Sequence, residues 1–308
     1  MSHKLLVLTR DNQAYYDALA KHDLPQLTVL DDSPNSVFEA NIWLAEPKLA
    51  APLLAHASKL VWMQSTFAGV DALMNHRRHT GYQLTNIKNL FGPMMSEYVF
   101  GHVLALYRHH TKYSQLQRNS HWQALPLNQL RGKRLVLLGT GDIGQHLCNT
   151  AHQFGVEVVG VNRTGRAQAP FDVTLSIEQL DTVLPSADLV VCVLPSTDET
   201  VNLFNKHRLQ LLKPGAIFVN VGRGDLVDEQ ALILHLSLNP TSHAILDVFK
   251  QEPLPEDNPL WKCQNAILTP HVAAPSTTED VVQQFVDNYH RFISEQPLSN
   301  RVSFALGY

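Results

Sequence analysis

One stretch constrains this chain more than any other: Val136-Leu137-Leu138-Gly139-Thr140-Gly141-Asp142-Ile143-Gly144, an apolar run ending in Gly-x-Gly-x-x-Gly. A helical pattern follows over 143–154, and a second apolar run, Glu157-Val158-Val159-Gly160-Val161, closes the unit. Each glycine has a physical reason: Gly139 permits a tight turn out of a strand, Gly141 lets the backbone approach a pyrophosphate, and Gly144 lets the helix sit close on the sheet. The helix start then offers unpaired N–H groups and a positive dipole end to phosphates. Three spaced glycines alone also suit a plain structural turn. The strand before and the helix and strand after supply the context that dinucleotide binding requires.

With 308 residues, the length suggests about two domains. A net charge of −4 and no long basic run argue against nucleic-acid binding. Arg77-Arg78 and Arg131-Gly132-Lys133-Arg134 read as solvated loop charges. Residues 5–8 are too short an apolar run for a signal peptide, and nothing approaches the roughly 18 apolar residues of a membrane span. The three cysteines, Cys148, Cys192 and Cys263, have unrelated spacings; the first two read as small core residues, which suits a reducing cytoplasm. Among 16 histidines, the pairs His76/His79 and His109/His110 are metal candidates, with surface or helix-face histidine as the plainer reading.

Strands are expected at 5–9, 28–30, 41–45, 60–64 and 84–85, with helices at 14–22, 48–57 and 70–74 between them. This alternation implies a mostly parallel sheet covered on both faces. One long helix is expected over 93–117. Beyond the glycine unit, strands follow at 188–194, 216–221, 244–248 and 266–269, with helices at 177–184, 206–211 and 229–238 and a last helix over 277–294. The fold class is α/β: two Rossmann-like domains with parallel sheets, the cofactor domain inserted into a discontinuous substrate domain. The expected boundaries are 1–95 plus 276–308 for the substrate domain and 96–275 for the dinucleotide-binding domain.

Further motifs follow the glycines in order: Leu194-Pro195-x-x-x-x-Thr200; Val219-Asn220-Val221-Gly222-Arg223-Gly224-Asp225-Leu226-Val227-Asp228; Leu246-Asp247-Val248-Phe249-x-x-Glu252-Pro253; and Thr269-Pro270-His271-Val272-Ala273. With Ala68-Gly69-Val70-Asp71 earlier, they make the chain resemble the D-isomer-specific 2-hydroxyacid dehydrogenase family over nearly its whole length. The resemblance implies catalytic residues Arg223, Glu252 and His271. It implies cofactor contacts at Gly139, Thr140, Gly141, Asp142, Ile143, Leu194, Pro195, Thr200, Val221, Gly222, His271 and Ala273, and at Asp247 toward the nicotinamide carboxamide. A strand-end aspartate capping a turn is the plainer reading of Asp247. Phe67-Ala68-Gly69-Val70 resembles the loop whose backbone N–H groups bind the substrate carboxylate, a plain strand-to-helix turn being the alternative. Asp71 reads as a helix cap and Glu97 as a helix-borne structural acid.

The chemistry can be stated without the family. Reducing a 2-oxo acid requires hydride at the carbonyl carbon, a proton at its oxygen and a cation for the carboxylate. His271 suits the proton, because imidazole titrates near neutral pH. Glu252 would orient the ring, and Arg223 offers a fork of N–H donors that matches a carboxylate. Singly, the three also suit an exposed turn arginine, a solvated loop acid and a packed loop histidine. Each follows an expected strand, which places all three where open α/β sheets bind ligands.

An NAD-type unit carries Asp or Glu about 20 residues beyond the glycines, bonded to the ribose 2′-hydroxyl. Here Asn162-Arg163-Thr164 stands at that strand end. Asn162 removes a repulsion of roughly 1–4 kcal/mol toward a 2′-phosphate. Arg163 adds a charge-assisted contact of about 1.5–3 kcal/mol, and Thr164 adds a hydroxyl, with Arg166 further along the loop. NADPH is therefore expected over NADH; an Arg163 turned to solvent or stacked on adenine would leave little preference.

Trp43, Phe67, Met94, Met95 and Trp261 are candidates for an apolar pocket wall, core packing being the competing role. The resemblance implies a homodimer through the cofactor domains, with the helix at 93–117 as a contact, and a cofactor in the cleft between domains. The lack of a C-terminal regulatory module speaks against the longer phosphoglycerate dehydrogenases. Formate dehydrogenases carry Gln where Glu252 stands, which counts against that branch. A cofactor-sensing corepressor of the same superfamily is the non-enzymatic alternative.

Overall fold

The computed structural model describes residues 2–74 and 80–307, so Arg77-Arg78 and the His76/His79 pair lie outside the described residues. The chain forms two compact units, Met1–Leu90 with Ser276–Tyr308, and Phe91–Pro275. The division falls at 90/91 rather than the expected 95/96, because a helix runs Phe91–Tyr107 and a cut at 95 would break its hydrogen-bonded backbone. Met95 is also buried in the core of the second unit.

In the first unit, β1 (His3–Leu8), β2 (Leu27–Val29), β3 (Ile42–Ala45), β4 (Trp62–Ser65) and β5 (Gln83–Thr85) form one sheet. Its order is β2-β1-β3-β4-β5 and every pairing is parallel. Leu6, Trp43, Met63 and Leu84 bury one face. On β4, Trp62 stacks on Phe285 of the last helix, Thr278–Ile293, with centroids 5.1 Å apart and planes 5° from parallel. That helix is capped by the Thr277 side chain, with Glu279 and Asp280 in its first turn and His290 and Arg291 in its last, matching its dipole. The tail is held by Val302 N–H donating to Leu84 O at 2.9 Å.

The second unit carries β6 (Arg134–Leu138), β7 (Glu157–Asn162), β8 (Val173–Ser176), β9 (Leu189–Cys192), β10 (Ile217–Asn220), β11 (His243–Leu246) and β12 (Ala266–Leu268). Its order is β12-β11-β10-β9-β6-β7-β8, all parallel, so the direction of winding reverses between β6 and β9. Residues alternate between two cores. Leu135, Leu137, Leu189, Val191, Ile217 and Val219 face one; Val136, Leu138, Val190, Cys192 and Phe218 face the other. Burial on both faces is why these strands read as continuous apolar runs. Cys148 and Cys192 are fully buried thiols within these cores.

Four local expectations are corrected, and one strand is not anticipated. The helix expected over 93–117 is two, Phe91–Tyr107 and His110–Arg118, broken at His109 with φ 57. Beyond Tyr107 the chain turns polar and mostly exposed, and the His109 ring bonds Pro126 O at 2.9 Å across the break. The 48–57 helix is a single α-helical turn, Pro47–Ala50, followed by a 3₁₀ turn at Leu54–His56. At 70–74 there is a 3₁₀ turn, Asp71–Leu73, with Val70 in the N-cap position and Asp71 as its first residue. Strand β8 escapes the pattern because it is a half-exposed edge with no buried run. The basic stretch at 131–134 is less solvated than expected: Lys133 pairs with Asp188 at 3.2 Å and Arg134 with Glu157 at 2.9 Å.

Phe285 is fully buried against Trp62. Phe285→Ala should destabilise the first unit by about 3–5 kcal/mol. Urea unfolding followed by tryptophan fluorescence measures this, and an unchanged midpoint would show that this packing does not anchor the last helix.

Candidate active site

The glycine turn leaves β6 at the winding reversal, where open α/β sheets bind ligands. Gly139 has φ 108, a region that glycine enters without a steric penalty. A Cβ at Gly144 would lie 2.0 Å from Gly139 O, so the helix Asp142–Gln153 presses directly on the turn. At Gly141 a Cβ would meet nothing within 4 Å, so the loop borders open space there. Gly141 is also the helix N-cap and makes no side-chain cap bond, which leaves the first-turn N–H groups of Asp142 and Ile143 to a ligand.

At the end of β7, Asn162 builds the next turn. Its Oδ1 accepts from Thr164 N at 3.1 Å and Gly165 N at 2.7 Å. Its Nδ2 donates to Arg166 O at 3.1 Å and Thr140 Oγ1 at 3.3 Å. Arg163, Thr164 and Arg166 are exposed on this turn. Gln168, absent from the sequence-based site, joins the turn to the glycine loop. Thr140 Oγ1 donates to its Oε1 and its Nε2 donates to Thr140 O, each at 2.7 Å. After β9, Leu194 and Pro195 begin a loop closed by buried Thr200, whose hydroxyl donates to Pro195 O at 2.7 Å. Thr200 shapes this loop from within. Val221 and Gly222, buried after β10, complete the row of strand ends.

Three adjacent parallel strands carry the chemistry-bearing residues. Arg223 follows β10, Glu252 follows β11 and His271 follows β12. Arg223 is half-buried; its carbonyl accepts from Asn220 Nδ2 at 2.8 Å and its Nη1 donates to Gly222 O at 2.7 Å. A Cβ at Gly224 would lie 1.9 Å from Phe249 C, so the arginine turn abuts the loop leading to Glu252.

Glu252 Oε1 accepts from Phe249 N at 3.0 Å, and Oε2 lies 2.9 Å from His271 Nδ1. A carboxylate only accepts, so Nδ1 carries the proton and Nε2 is the end that can exchange one with a ligand. His271 has φ 55, the left-handed region, yet its side chain is 55% exposed. Its N–H donates to Asp247 O at 2.9 Å. The Asp247 carboxylate is 1% exposed. Oδ1 accepts from Thr269 Oγ1 at 2.6 Å and Val272 N at 2.9 Å, and Oδ2 from Ala273 N at 2.9 Å. Asp247 is thus first the inner clamp of the turn bearing His271. The expected carboxamide contact would have to use what capacity remains on a buried carboxylate.

In the first unit, Phe67-Ala68-Gly69-Val70 follows β4. Ser65 Oγ accepts from Phe67 N at 3.1 Å and donates to Phe67 O at 2.8 Å, while Asn86 Nδ2 donates to Ala68 O at 2.7 Å. Of the pocket-wall candidates, Trp43 and Met95 are core residues of their own units, whereas Phe67 and Trp261 are exposed. Glu97 is exposed on its helix. Among the described residues, no three His, Cys, Asp or Glu side chains gather as a metal site. No described helix is long and apolar enough to cross a membrane.

The uncapped helix start, the open side of Gly141 and the polar turn at 162–168 fit a dinucleotide's pyrophosphate and ribose. Comparison with known proteins agrees. Residues 100–273 match the family model described as D-isomer specific 2-hydroxyacid dehydrogenase, NAD binding domain. Glyoxylate/hydroxypyruvate reductase A of Escherichia fergusonii is 29% identical over 248 residues, 78% of this chain and 80% of that one. A D-isomer specific 2-hydroxyacid dehydrogenase family protein from Aeromonas salmonicida superposes with a TM-score of 0.90 at 47% identity, covering 99% of this chain and 100% of that one. The NADPH-dependent glyoxylate/hydroxypyruvate reductase of Sinorhizobium meliloti, solved with NADP and sulfate, gives 0.88 at 26% identity over 100% of both chains.

Gly141→Val should melt near the parent protein, since its side chain enters open space. It should weaken dinucleotide binding by about tenfold or more, roughly 1.4 kcal/mol, because a side chain stands where the backbone must approach the pyrophosphate. Fluorescence titration with NADPH measures this, and unaltered affinity would remove the loop from the binding site.

Proposed function

The chain belongs to the D-isomer specific 2-hydroxyacid dehydrogenase family, and from that premise we propose that it reduces a small 2-oxo acid to the D-2-hydroxy acid with NADPH as preferred reductant. It is an oxidoreductase acting on CH–OH donors with a nicotinamide cofactor. The observation that carries the reading is the 2.9 Å bond between Glu252 and His271 Nδ1, which leaves Nε2 as the proton carrier. When bound, the cofactor supplies a hydride to the carbonyl carbon. His271 Nε2 gives its proton to the carbonyl oxygen and recovers one in the reverse direction. Glu252 keeps the ring in one tautomer and orientation throughout. Arg223 holds the carboxylate and polarises the neighbouring carbonyl.

The unit Phe91–Pro275 is assigned to the cofactor and the other unit to the substrate. Gly139, Thr140, Gly141, Asp142 and Ile143 take the pyrophosphate, with Leu194, Pro195, Val221, Gly222 and Ala273 along the same row of strand ends. Phe67-Ala68-Gly69-Val70 is assigned to the substrate carboxylate through the backbone N–H groups of Ala68, Gly69 and Val70, the Phe67 N–H being given to Ser65 Oγ in a turn also held by Asn86. Substrates of the glyoxylate and hydroxypyruvate size fit the names of the relatives.

NADPH is favoured because β7 ends in Asn162 with no carboxylate, and because Asn162 organises a turn that displays Arg163 and Arg166. We also read the protein as a cytoplasmic homodimer. Its three cysteines are free thiols, two of them buried, which suits a reducing compartment, and sedimentation should give about twice 34.5 kDa.

A panel of 2-oxo acids followed by NADPH oxidation tests the whole reading; no turnover on any member would sink it. Values of kcat/KM should favour NADPH over NADH by about tenfold to a thousandfold, and a preference for NADH would overturn the cofactor assignment. Arg163→Ala should cost about tenfold or more with NADPH and little with NADH. His271→Gln should lower kcat by a hundredfold or more. A near-normal rate would remove the imidazole from proton transfer.

A further inference from the structure

A polar chain runs behind His271 that the proton-transfer chemistry does not itself require. Tyr98 lies on the helix Phe91–Tyr107, and its hydroxyl is 2.5 Å from Thr269 Oγ1. Thr269 Oγ1 is 2.6 Å from Asp247 Oδ1. The proton order follows from chemistry. A carboxylate only accepts, so Thr269 spends its single hydroxyl proton on Asp247 and must accept from Tyr98, which therefore donates. Burial pushes the Tyr98 phenol up to about 12, so this donor keeps its proton through the neutral range.

The downstream end of the chain is the catalytic turn. The Asp247 carboxylate accepts from the amides of Val272 and Ala273, and its carbonyl accepts from that of His271. These bonds hold His271 at φ 55, and from that backbone its ring reaches Glu252. The rotation of the carboxylate is set by its three donors, and only Thr269 is itself steered by another side chain.

We propose that Tyr98 is a positioning residue for proton transfer at His271, acting through Thr269 and Asp247; this rests on reading His271 as the proton carrier. The phenol locks the Thr269 rotor, the rotor locks the Asp247 carboxylate, and the carboxylate locks the turn. Tyr98 touches neither substrate nor cofactor in this role. Its ring packs edge-on against His102 with centroids 4.6 Å apart, so Tyr98→Phe removes the donor and keeps the packing.

The test uses the full-length protein with glyoxylate and NADPH. Tyr98→Phe should lower kcat by about threefold to twentyfold, the loss expected for one hydrogen bond in a buried chain, with both KM values held within about twofold. Thr269→Val should show the same split, and Thr269→Ser, which keeps the hydroxyl, should restore the parent kcat. The double variant Tyr98→Phe/Thr269→Val should be no slower than the worse single variant, because both break one chain. An unchanged kcat in Tyr98→Phe, a loss confined to KM, or losses that multiply in the double variant would overturn the proposal. His271→Gln in the same assay separates the two readings. If it stays active, the proton-carrier assignment fails. If it is inactive while Tyr98→Phe is unimpaired, only the positioning role fails.

Discussion

Within each sheet every strand pairs in parallel, and this constraint organises the chemistry. Parallel neighbours bring all their carboxyl ends to one edge, and the crossovers that join them cover both faces. In the second unit this aligns the turns after β6, β7, β9, β10, β11 and β12 along a single rim. Residues as distant in sequence as Gly141, Arg223, Glu252 and His271 therefore stand on one row with no long-range motif linking them. The helix that follows the glycine turn begins at the same rim, so one geometric rule brings a helix N-terminus and the Glu252–His271 hydrogen bond to one edge.

Within that rim, the buried carboxylate of Asp247 does most to hold the site. Placing a carboxylate out of water is unfavourable unless its oxygens are satisfied, and here a hydroxyl and two amides satisfy them. Hydrogen bonds to a charged group contribute about 1.5–3 kcal/mol each, whereas a left-handed backbone costs an ordinary residue roughly 1–2 kcal/mol. The balance favours the clamped turn, so His271 can sit at φ 55 with an exposed ring and still be rigid. The imidazole proposed as the proton carrier is held from the inside while its side chain stays more than half exposed.

Strands buried on both faces are legible because their period-2 alternation collapses into apolar runs, as at 135–138 and 189–192. Edge strand β8 is not, because one half-exposed segment of four residues carries no such run. The helix break at His109 leaves no glycine or proline in its wake; it is set by where the core ends and by a ring bond to Pro126 eighteen positions further along the chain than Arg108. The same holds for Gln168, which no sequence motif marks and which ties the turn after β7 to Thr140 through two bonds.

By itself the sequence determined the residue types and their order: three glycines after an apolar run, an uncharged Asn162 at the second strand end, and an arginine, a glutamate and a histidine each following a strand. These are local properties, since backbone freedom, charge and strand pattern belong to the residues that carry them. Tertiary structure alone decided that Glu252 meets His271 Nδ1, that Asp247 turns its carboxylate inward, and that Tyr98 and Thr269 stand behind it. Hydrogen bonds between side chains depend on distance in space, and only the packed sheet sets which distant segments fall within about 3 Å of each other.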